Sequence, residues 1–146
     1  MVVNDEILKD MNLARAELSS GDYSIVVIQD EKILTQKIGD GIKPIMNVID
    51  ELGDELKDTV VGNRLLGKAS AFLLRYSKVK GVYSPQATKT AIAILIIGGI
   101  TCQVDELIPF IKNENYESFG KFEEMLGNVE SPEEAYNILK EKIIID

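Results

Sequence analysis

The stretch 62-GNRLLGK-68 places two glycines, an asparagine and two basic side chains directly before an apolar helical pattern. A helix start has backbone N–H groups without intrahelical partners and the positive end of the helix dipole, so it can bind an anion. The helix start at Gly67 would supply the backbone N–H groups, and Lys68 would add positive charge there. The interpretation that needs fewer assumptions is structural: Gly67 and the small residues after it let the helix pack closely on a sheet.

Two further polar segments could contribute to a ligand site. The loop 39-GDGIKP-44, which contains Lys43, could cradle a phosphate through its backbone, although a lone G-x-G more often forms only a turn into a helix. Asn113 could orient a ligand or cap a helix over residues 107–112. Asn63 follows a short apolar strand, and ligands of open α/β sheets bind at such strand ends. The candidate ligand-binding residues are therefore Lys43, Asn63, Gly67, Lys68 and Asn113.

The remaining reactive side chains give no catalytic pattern. Cys102 is the one cysteine, so no intramolecular disulfide can form, and its apolar strand favours an inert core residue over a reactive thiol. The spacing of the candidate carboxylates is that of ordinary solvated acids; they are Asp58, Asp105, Glu106 and Glu123.

The composition favours one domain over residues 1–146 and excludes several classes of protein. The net charge of -8 repels phosphate backbones and acidic membrane surfaces, so we expect no nucleic-acid or membrane partner. The N-terminus lacks the basic start and apolar run of a signal peptide, and the apolar run 91–100 is too short to span a bilayer. We therefore expect a cytoplasmic protein that needs no cofactor.

Hydrophobic periodicity predicts alternating helices and strands. An N-terminal helix over 5–20 precedes two strands, 23–29 and 32–38, that are joined by a turn at Asp30-Glu31. A capping box formed by Ser131 and Glu134 begins a C-terminal helix over 131–143 that packs on the core. Between them we expect helices over 42–52 and from Leu65 to Tyr76, strands over 59–62, 79–84 and 100–104, a helix that begins at Ser84-Pro85, and two short helices within 106–127. This order implies a mixed sheet with helices on both faces.

Four segments resemble a known family, the domain of unknown function 1893. They are 39-GDGIKP-44, 67-GKASA-71, 107-LIPFIKN-113 and 131-SPEEAYNILK-140, and the resemblance extends in the same order over residues 20–142. It implies a cytidine-deaminase-like fold, a three-layer α/β/α sandwich around a five-stranded sheet. The family carries no established activity, so the resemblance implies a fold rather than a reaction.

The chain lacks the ligands that a zinc deaminase needs. Those enzymes hold zinc through H-x-E at one helix start and P-C-x-x-C at the next. The comparable helix start is Gly67-Lys68-Ala69, the sequence contains no histidine, and Cys102 cannot supply three nitrogen or sulfur ligands.

The chain also departs from its family's pattern. The resemblance implies aspartate at Asn63, arginine at Glu114 and Cys-Pro-Met-Glu near 120-GKFE-123. Any thiol-dependent activity of the family should therefore be missing in this chain.

Three hypotheses for the function follow. The first is a metal-free binding module that holds a small anionic or nucleotide-like ligand near Asn63, Lys68 and Lys43. The second is a metal-independent enzyme with a carboxylate base such as Glu123. The third is an oligomeric interaction protein, a two-fold homodimer formed by the final helix or by the edge near residues 91–100.

The nitrogen and sulfur ligands that the sequence offers predict how much zinc the protein contains. Untagged protein purified without added metal should contain far less than one zinc per chain, because one sulfur and no imidazole cannot complete a tetrahedral site. Elemental analysis measures this directly. Stoichiometric zinc together with cytidine deamination would overturn the prediction.

Overall fold

The computed structural model describes residues 5–109 and 125–145, with side chains up to Lys142. The helices are α1 (Asp5–Ser20), α2 (Lys43–Leu52), α3 (Lys68–Tyr76), α4 (Lys89–Ile97) and α5 (Pro132–Ile145), and Gly53–Leu56 forms a 3-10 turn. The strands are β1 (Ile25–Gln29), β2 (Lys32–Lys37), β3 (Val60–Asn63), β4 (Leu65–Leu66), β5 (Gly81–Thr88) and β6 (Thr101–Ile108). No helix in the described ranges is both long and apolar enough to cross a membrane.

The described strands form one mixed sheet. β1 pairs antiparallel with β2 and β3, whereas β5 pairs parallel with β3 on one side and with β6 on the other. β4 continues along the same edge of β5 as β3 and in the same register, so β3 and β4 are one strand interrupted at Arg64. The sheet therefore has six strands rather than the five predicted, because one of its five positions is divided.

The helices cover both faces, which confirms the predicted three-layer α/β/α sandwich. On one face α1 buries Met11, Ala14 and Leu18 against residues of β1, β3 and β5. On the other face α2, α3, α4 and α5 contribute to a larger apolar core. The Tyr136 ring of α5 stacks on Tyr76 of α3 with centroids 4.1 Å apart, so α5 packs on the helical layer.

The β1–β2 hairpin and the start of α5 follow their local sequence signals. Asp30 and Glu31 both have positive φ, as a tight hairpin turn requires, and residues 25–28 are buried on both faces of the sheet. β2 is an edge strand and is largely exposed. The Ser131 hydroxyl accepts from Glu134 N at 3.3 Å, which confirms the predicted cap.

The prediction that Ser84-Pro85 begins a helix is wrong. β5 continues through both residues, with Ser84 aligned to Val104 and Gln86 aligned to Glu106 of β6. The Ser84 hydroxyl donates to Gln86 O at 2.8 Å and accepts from Gln86 N at 3.3 Å, so it does not cap a helix. Helix α4 begins four residues later, where the Thr88 hydroxyl accepts from Ala91 N at 3.1 Å. Pairing along the whole of β6 therefore overrides the local capping signal.

Two other sequence boundaries also differ from the structure. Leu65 lies in β4 rather than in the helix that follows, because it pairs with Gln86. β6 extends to Ile108, where a helix was expected from residue 106, because its pairing with β5 continues to Thr88. The rest of the predicted helical region, including Asn113 and Glu123, falls outside the described residues.

Helix α1 lies unusually close to the sheet at Gly62. A Cβ at this position would lie 2.9 Å from Ala14 Cβ and 3.2 Å from Leu18 Cδ1. Asp10, one turn before Ala14 in α1, is also buried, and its carboxylate accepts from Glu31 N at 2.9 Å. The helix is thus fixed both by close packing and by a hydrogen bond to the hairpin turn.

The close approach of α1 to Gly62 predicts how much stability the protein loses when one methyl group is added there. Gly62→Ala should lower the free energy of unfolding by about 1–3 kcal/mol, because α1 must move away from β3 to admit the added atom. Urea unfolding measures the change. Gly98→Ala is the matched control: the three atoms nearest to its Cβ all belong to the Arg75 side chain, which is flexible and can move, so its cost should stay below about 1 kcal/mol. Equal costs at the two positions would contradict the packing argument.

Candidate functional site

A cleft of about 550 Å³ lies at the carboxyl end of β3. Its walls come from the end of α1, from the loop after β2 and from the break between β3 and β4. The lining residues are Gly21, Asp22, Ser24, Ile38, Gly39, Asp40, Gly41, Asn63, Arg64 and Leu65. The sheet topology therefore brings together three segments that are distant in sequence.

The loop wall of the cleft is fixed by Ser24. Its hydroxyl donates to Gly39 O and lies 3.2 Å from Gly39 N, which can donate in return. Gly39 and Gly41 both have positive φ, so the loop uses backbone conformations that other residues rarely adopt. The segment suggested as a phosphate cradle thus lines the cleft and also forms the turn into α2.

Asn63 supplies a buried amide to the cleft wall. Its relative exposure is 5%, and its Nδ2 donates to Leu65 O at 3.2 Å. This bond orients the amide, because only the nitrogen can donate to a carbonyl oxygen. Within residues 5–109 and 125–145, no group donates a hydrogen bond to Asn63 Oδ1. The cleft wall therefore contains a buried acceptor whose hydrogen-bonding capacity is unused by the described part of the chain.

Arg64 fastens the end of α1 to the interrupted strand. Its Nη2 donates to Leu18 O at 2.7 Å and to Gly21 O at 3.0 Å, and its Nε donates to Tyr23 O at 2.9 Å. A guanidinium suits this task because its donors have a fixed fork geometry, and its charge complements the carboxyl end of a helix. Sequence reasoning missed this role, since nothing near Arg64 in the sequence marks its distant partners.

The charges around the cleft favour a ligand that donates hydrogen bonds. Asp22 and Asp40 are exposed at its rim, and no other carboxylate or lysine is among the residues that line it. The Arg64 guanidinium also lines the cleft but directs three hydrogen bonds to carbonyl groups. An anion would therefore meet two carboxylates and a cation already engaged elsewhere.

The structure brings only part of the predicted site together. Asn63 and the 39–41 loop line the cleft, whereas Lys43, Gly67 and Lys68 are not among its lining residues. Gly67 is the N-cap of α3 in an extended conformation, and Lys68 Nζ donates to Gly127 O before α5. Lys43 is exposed at the first position of α2. Asn113 lies outside the described residues, so its predicted role stays a prediction.

A second polar cluster lies on the α1 face, away from the residues that line the cleft. Arg15 pairs with Asp105 at 2.5 Å, and the guanidinium lies 4.9 Å from the centre of the Tyr83 ring. The Tyr83 hydroxyl donates to Asp105 at 2.5 Å, and this bond, with help from Arg15, holds the pKa of Asp105 below its usual value. Burial is the main reason that the pKa of Tyr83 is raised. The cluster joins α1 to β5 and β6 and thereby fixes the edge strand.

The thiol of Cys102 and the metal-binding capacity of the acids can be assessed within the described region. Burial raises the pKa of Cys102 to about 11, which disfavours the nucleophilic thiolate and agrees with the inert core interpretation. No group of three or more Cys, Asp or Glu side chains within the described ranges could hold a metal ion.

Comparison with known proteins identifies the family. The model of the family described as "Domain of unknown function (DUF1893)" matches residues 13–143. The chain belongs to the DUF1893 family. A crystal structure of a DUF1893 protein from Thermotoga maritima, TM1506, superimposes with a TM-score of 0.79 at 22% identity, covering 97% of this chain and 92% of that chain.

The fold extends beyond DUF1893. Two forms of Acinetobacter baumannii RibD, which has a cytidine-deaminase-like fold, match with TM-scores of 0.53 and 0.52 at 16% identity. Each match covers 68% of this chain but only 36% of the RibD chain. No curated protein matches the sequence. At these identities the two structural likenesses support the fold alone.

The Arg64 fork predicts a selective loss of stability. Arg64→Lys should lower the free energy of unfolding by about 1.5–3 kcal/mol, because an ammonium group keeps the charge but cannot reach three carbonyls in the same geometry. Urea unfolding measures the change, and amide exchange at residues 18–24 should quicken. Arg75→Lys on α3 is the matched control and should alter stability by less than about 1 kcal/mol. Equal effects of the two substitutions would contradict the fastening role.

Proposed function

We propose that this DUF1893 protein is a binding module that holds a small nucleoside-like molecule in the cleft beside Asn63 and has no deaminase activity. The observation that carries the proposal is the buried Asn63 amide, whose Oδ1 receives no hydrogen bond from the described residues. A group that lines a cleft is hydrated while the cleft is empty, so a ligand that offers Oδ1 no donor would leave it buried without a partner, at a cost of about 1–3 kcal/mol. The cleft wall therefore favours a ligand with an N–H donor at that point.

The Asn63 amide also limits the shape of the ligand. One N–H of Nδ2 is used by Leu65 O, and the second N–H lies on the same planar group as Oδ1. A planar amide with an available acceptor and donor can pair with the edge of a nucleobase through two hydrogen bonds. Ligands with a single isolated acceptor could use only half of this pattern.

The rim of the cleft supports an uncharged ligand over a phosphorylated one. Asp22 and Asp40 can accept hydrogen bonds from hydroxyl groups such as those of a sugar, but they repel phosphate. Lys43 and Lys68, the cations expected to hold an anion, are not among the lining residues. The sequence led us to expect an anionic or nucleotide-like ligand, and the rim of the cleft instead supports a nucleoside, which lacks the phosphate.

The proposed chemistry is recognition without hydrolysis. Zinc deaminases activate water on the metal, and this sequence has neither histidine nor a second cysteine to hold one. A cleft that binds a nucleoside without activating water would release it unchanged. We therefore expect binding to be reversible and free of any ammonia release.

Calorimetry with a panel of nucleobases, nucleosides and their monophosphates tests the proposal. We expect at least one nucleoside to bind the wild-type protein more tightly than its monophosphate. Asn63→Leu should weaken this binding by about tenfold or more, because it removes both the acceptor and the donor of the amide. Asn47→Leu, an exposed change on α2, is the matched control and should bind like the wild type.

A rim variant separates the role of charge from that of the amide. Asp40→Asn removes a carboxylate from an exposed position without altering the fold. It should bring the dissociation constants of the nucleoside and of its monophosphate closer together. Circular dichroism and melting curves check that each variant is folded. The proposal fails if no compound in the panel binds, if monophosphates bind best, or if Asn47→Leu and Asn63→Leu behave alike.

A further inference from the structure

Helix α4 is apolar on all sides but buried on only one. Seven of its nine residues are alanine, isoleucine or leucine. Ala91, Ile94 and Leu95 face the core, whereas Ile96 is 61% exposed and Ile97 is 76% exposed. Ala93 is also exposed and extends this surface toward the start of the helix. A helix with apolar residues on every side is ordinarily covered on every side, so the outer face of α4 calls for a partner.

The two ends of this face differ: one end has a cavity and the other has exposed isoleucine side chains. A cavity of about 360 Å³ lies at the start of α4, lined by residues 88–90 and by Leu107, Ile108 and Pro109. The exposed isoleucines lie at the other end of the same helix. Lys89 is four residues before Ala93 and Ile97 is four residues after it. A two-fold axis through Ala93 would therefore bring the isoleucine end of one helix onto the cavity of the other.

We propose that α4 is the contact between two copies of this chain, packed antiparallel about a two-fold axis at Ala93. The Ile97 side chain of each copy enters the cavity beside Leu107 of the other copy. Alanine at the crossing point allows the helix axes to approach to about 8–10 Å. Each copy presents the same surface, which is the requirement for a closed two-fold dimer.

The distribution of charge favours a second copy of this chain as the partner that covers the outer face of α4. Two chains of net charge -8 repel each other, yet the sequence from Thr59 to Val104 contains no aspartate or glutamate. The next acids along β6 are held by their own chain: Asp105 pairs with Arg15, and Glu106 accepts from Gln86 Nε2 at 2.7 Å. Among the described residues, those of α4 and of its cavity, 88–97 and 107–109, therefore include no carboxylate that would oppose one in a second copy.

The helix dipole reinforces the antiparallel arrangement. An antiparallel crossing places Lys89 of one copy near the carboxyl end of α4 in the other copy. A cation is stabilised at that end by the partial negative charge of the terminal carbonyl groups. The parallel arrangement would place the two Lys89 side chains together, so charge selects the antiparallel one.

Sedimentation velocity of the full chain at about 1–100 µM tests the proposal. We expect a dimer for the wild-type protein. Ile97→Glu should raise the dissociation constant at least about tenfold, because it would replace the apolar contact with Leu107 and Ile108 by a carboxylate that must lose water, and an exposed ion pair with Lys89 would offset only a small part of that loss. Ile38→Glu is the matched control, since Ile38 is 68% exposed on the opposite side of the sheet and should leave the dimer unchanged.

Cross-linking tests the position of the axis and does not depend on how Ile97→Glu folds. In a Cys102→Ser background, Ala93→Cys should form a disulfide-linked dimer in oxidised glutathione, whereas Ile38→Cys should not. A wild-type monomer at 100 µM, a dimer that survives Ile97→Glu, or equal cross-linking at both positions would each overturn the proposal. Loss of the dimer in both glutamate variants would also overturn it, because the contact would then not be specific to α4.

Discussion

The interruption of the third strand at Arg64 is the constraint on which the surrounding structure depends. β3 and β4 keep the same register against β5, so the chain leaves the ladder only around this residue. In the gap the Arg64 guanidinium bonds three carbonyl groups at the end of α1 and thereby fastens that helix to the sheet. The preceding residue, Asn63, turns its amide toward Leu65 O and the cleft. One break therefore both holds a layer of the fold in place and supplies the polar wall of the cleft.

The two edges of the sheet differ in the charge that they expose. The side formed by β1 and β2 contains the cleft, with Asp22 and Asp40 at its rim. The side formed by β6 and α4 presents apolar surface, and its neighbouring acids are engaged by Arg15 and Gln86. The lining of the cleft and the outer face of α4 share no residue. A small ligand and a second copy could consequently bind at the same time, and neither proposal depends on the other.

Local sequence signals predicted the elements whose formation is decided locally. The periodicity of α1, the turn at residues 30–31 and the Ser131 cap were all read correctly, as was the layered α/β architecture. The Ser84-Pro85 cap failed because pairing between β5 and β6 outweighed it. The role of Arg64 could not be predicted, since its Leu18 partner is 46 residues away and leaves no pattern near it. The sequence placed Asn63 near the end of a strand, where the structure has it, and its role toward a ligand stays a prediction. Lys68 donates to Gly127 O, a tertiary contact that no spacing in the sequence reveals.

The starts of α3 and α4 are both engaged in contacts within the fold. Lys68, at the start of α3, donates to Gly127 O. The Thr88 hydroxyl, at the start of α4, accepts from Ala91 N and so caps its own helix. Neither residue is among those that line the cleft. The ligand that we propose would therefore contact the Asn63 amide and the rim carboxylates, which can recognise it through hydrogen bonds.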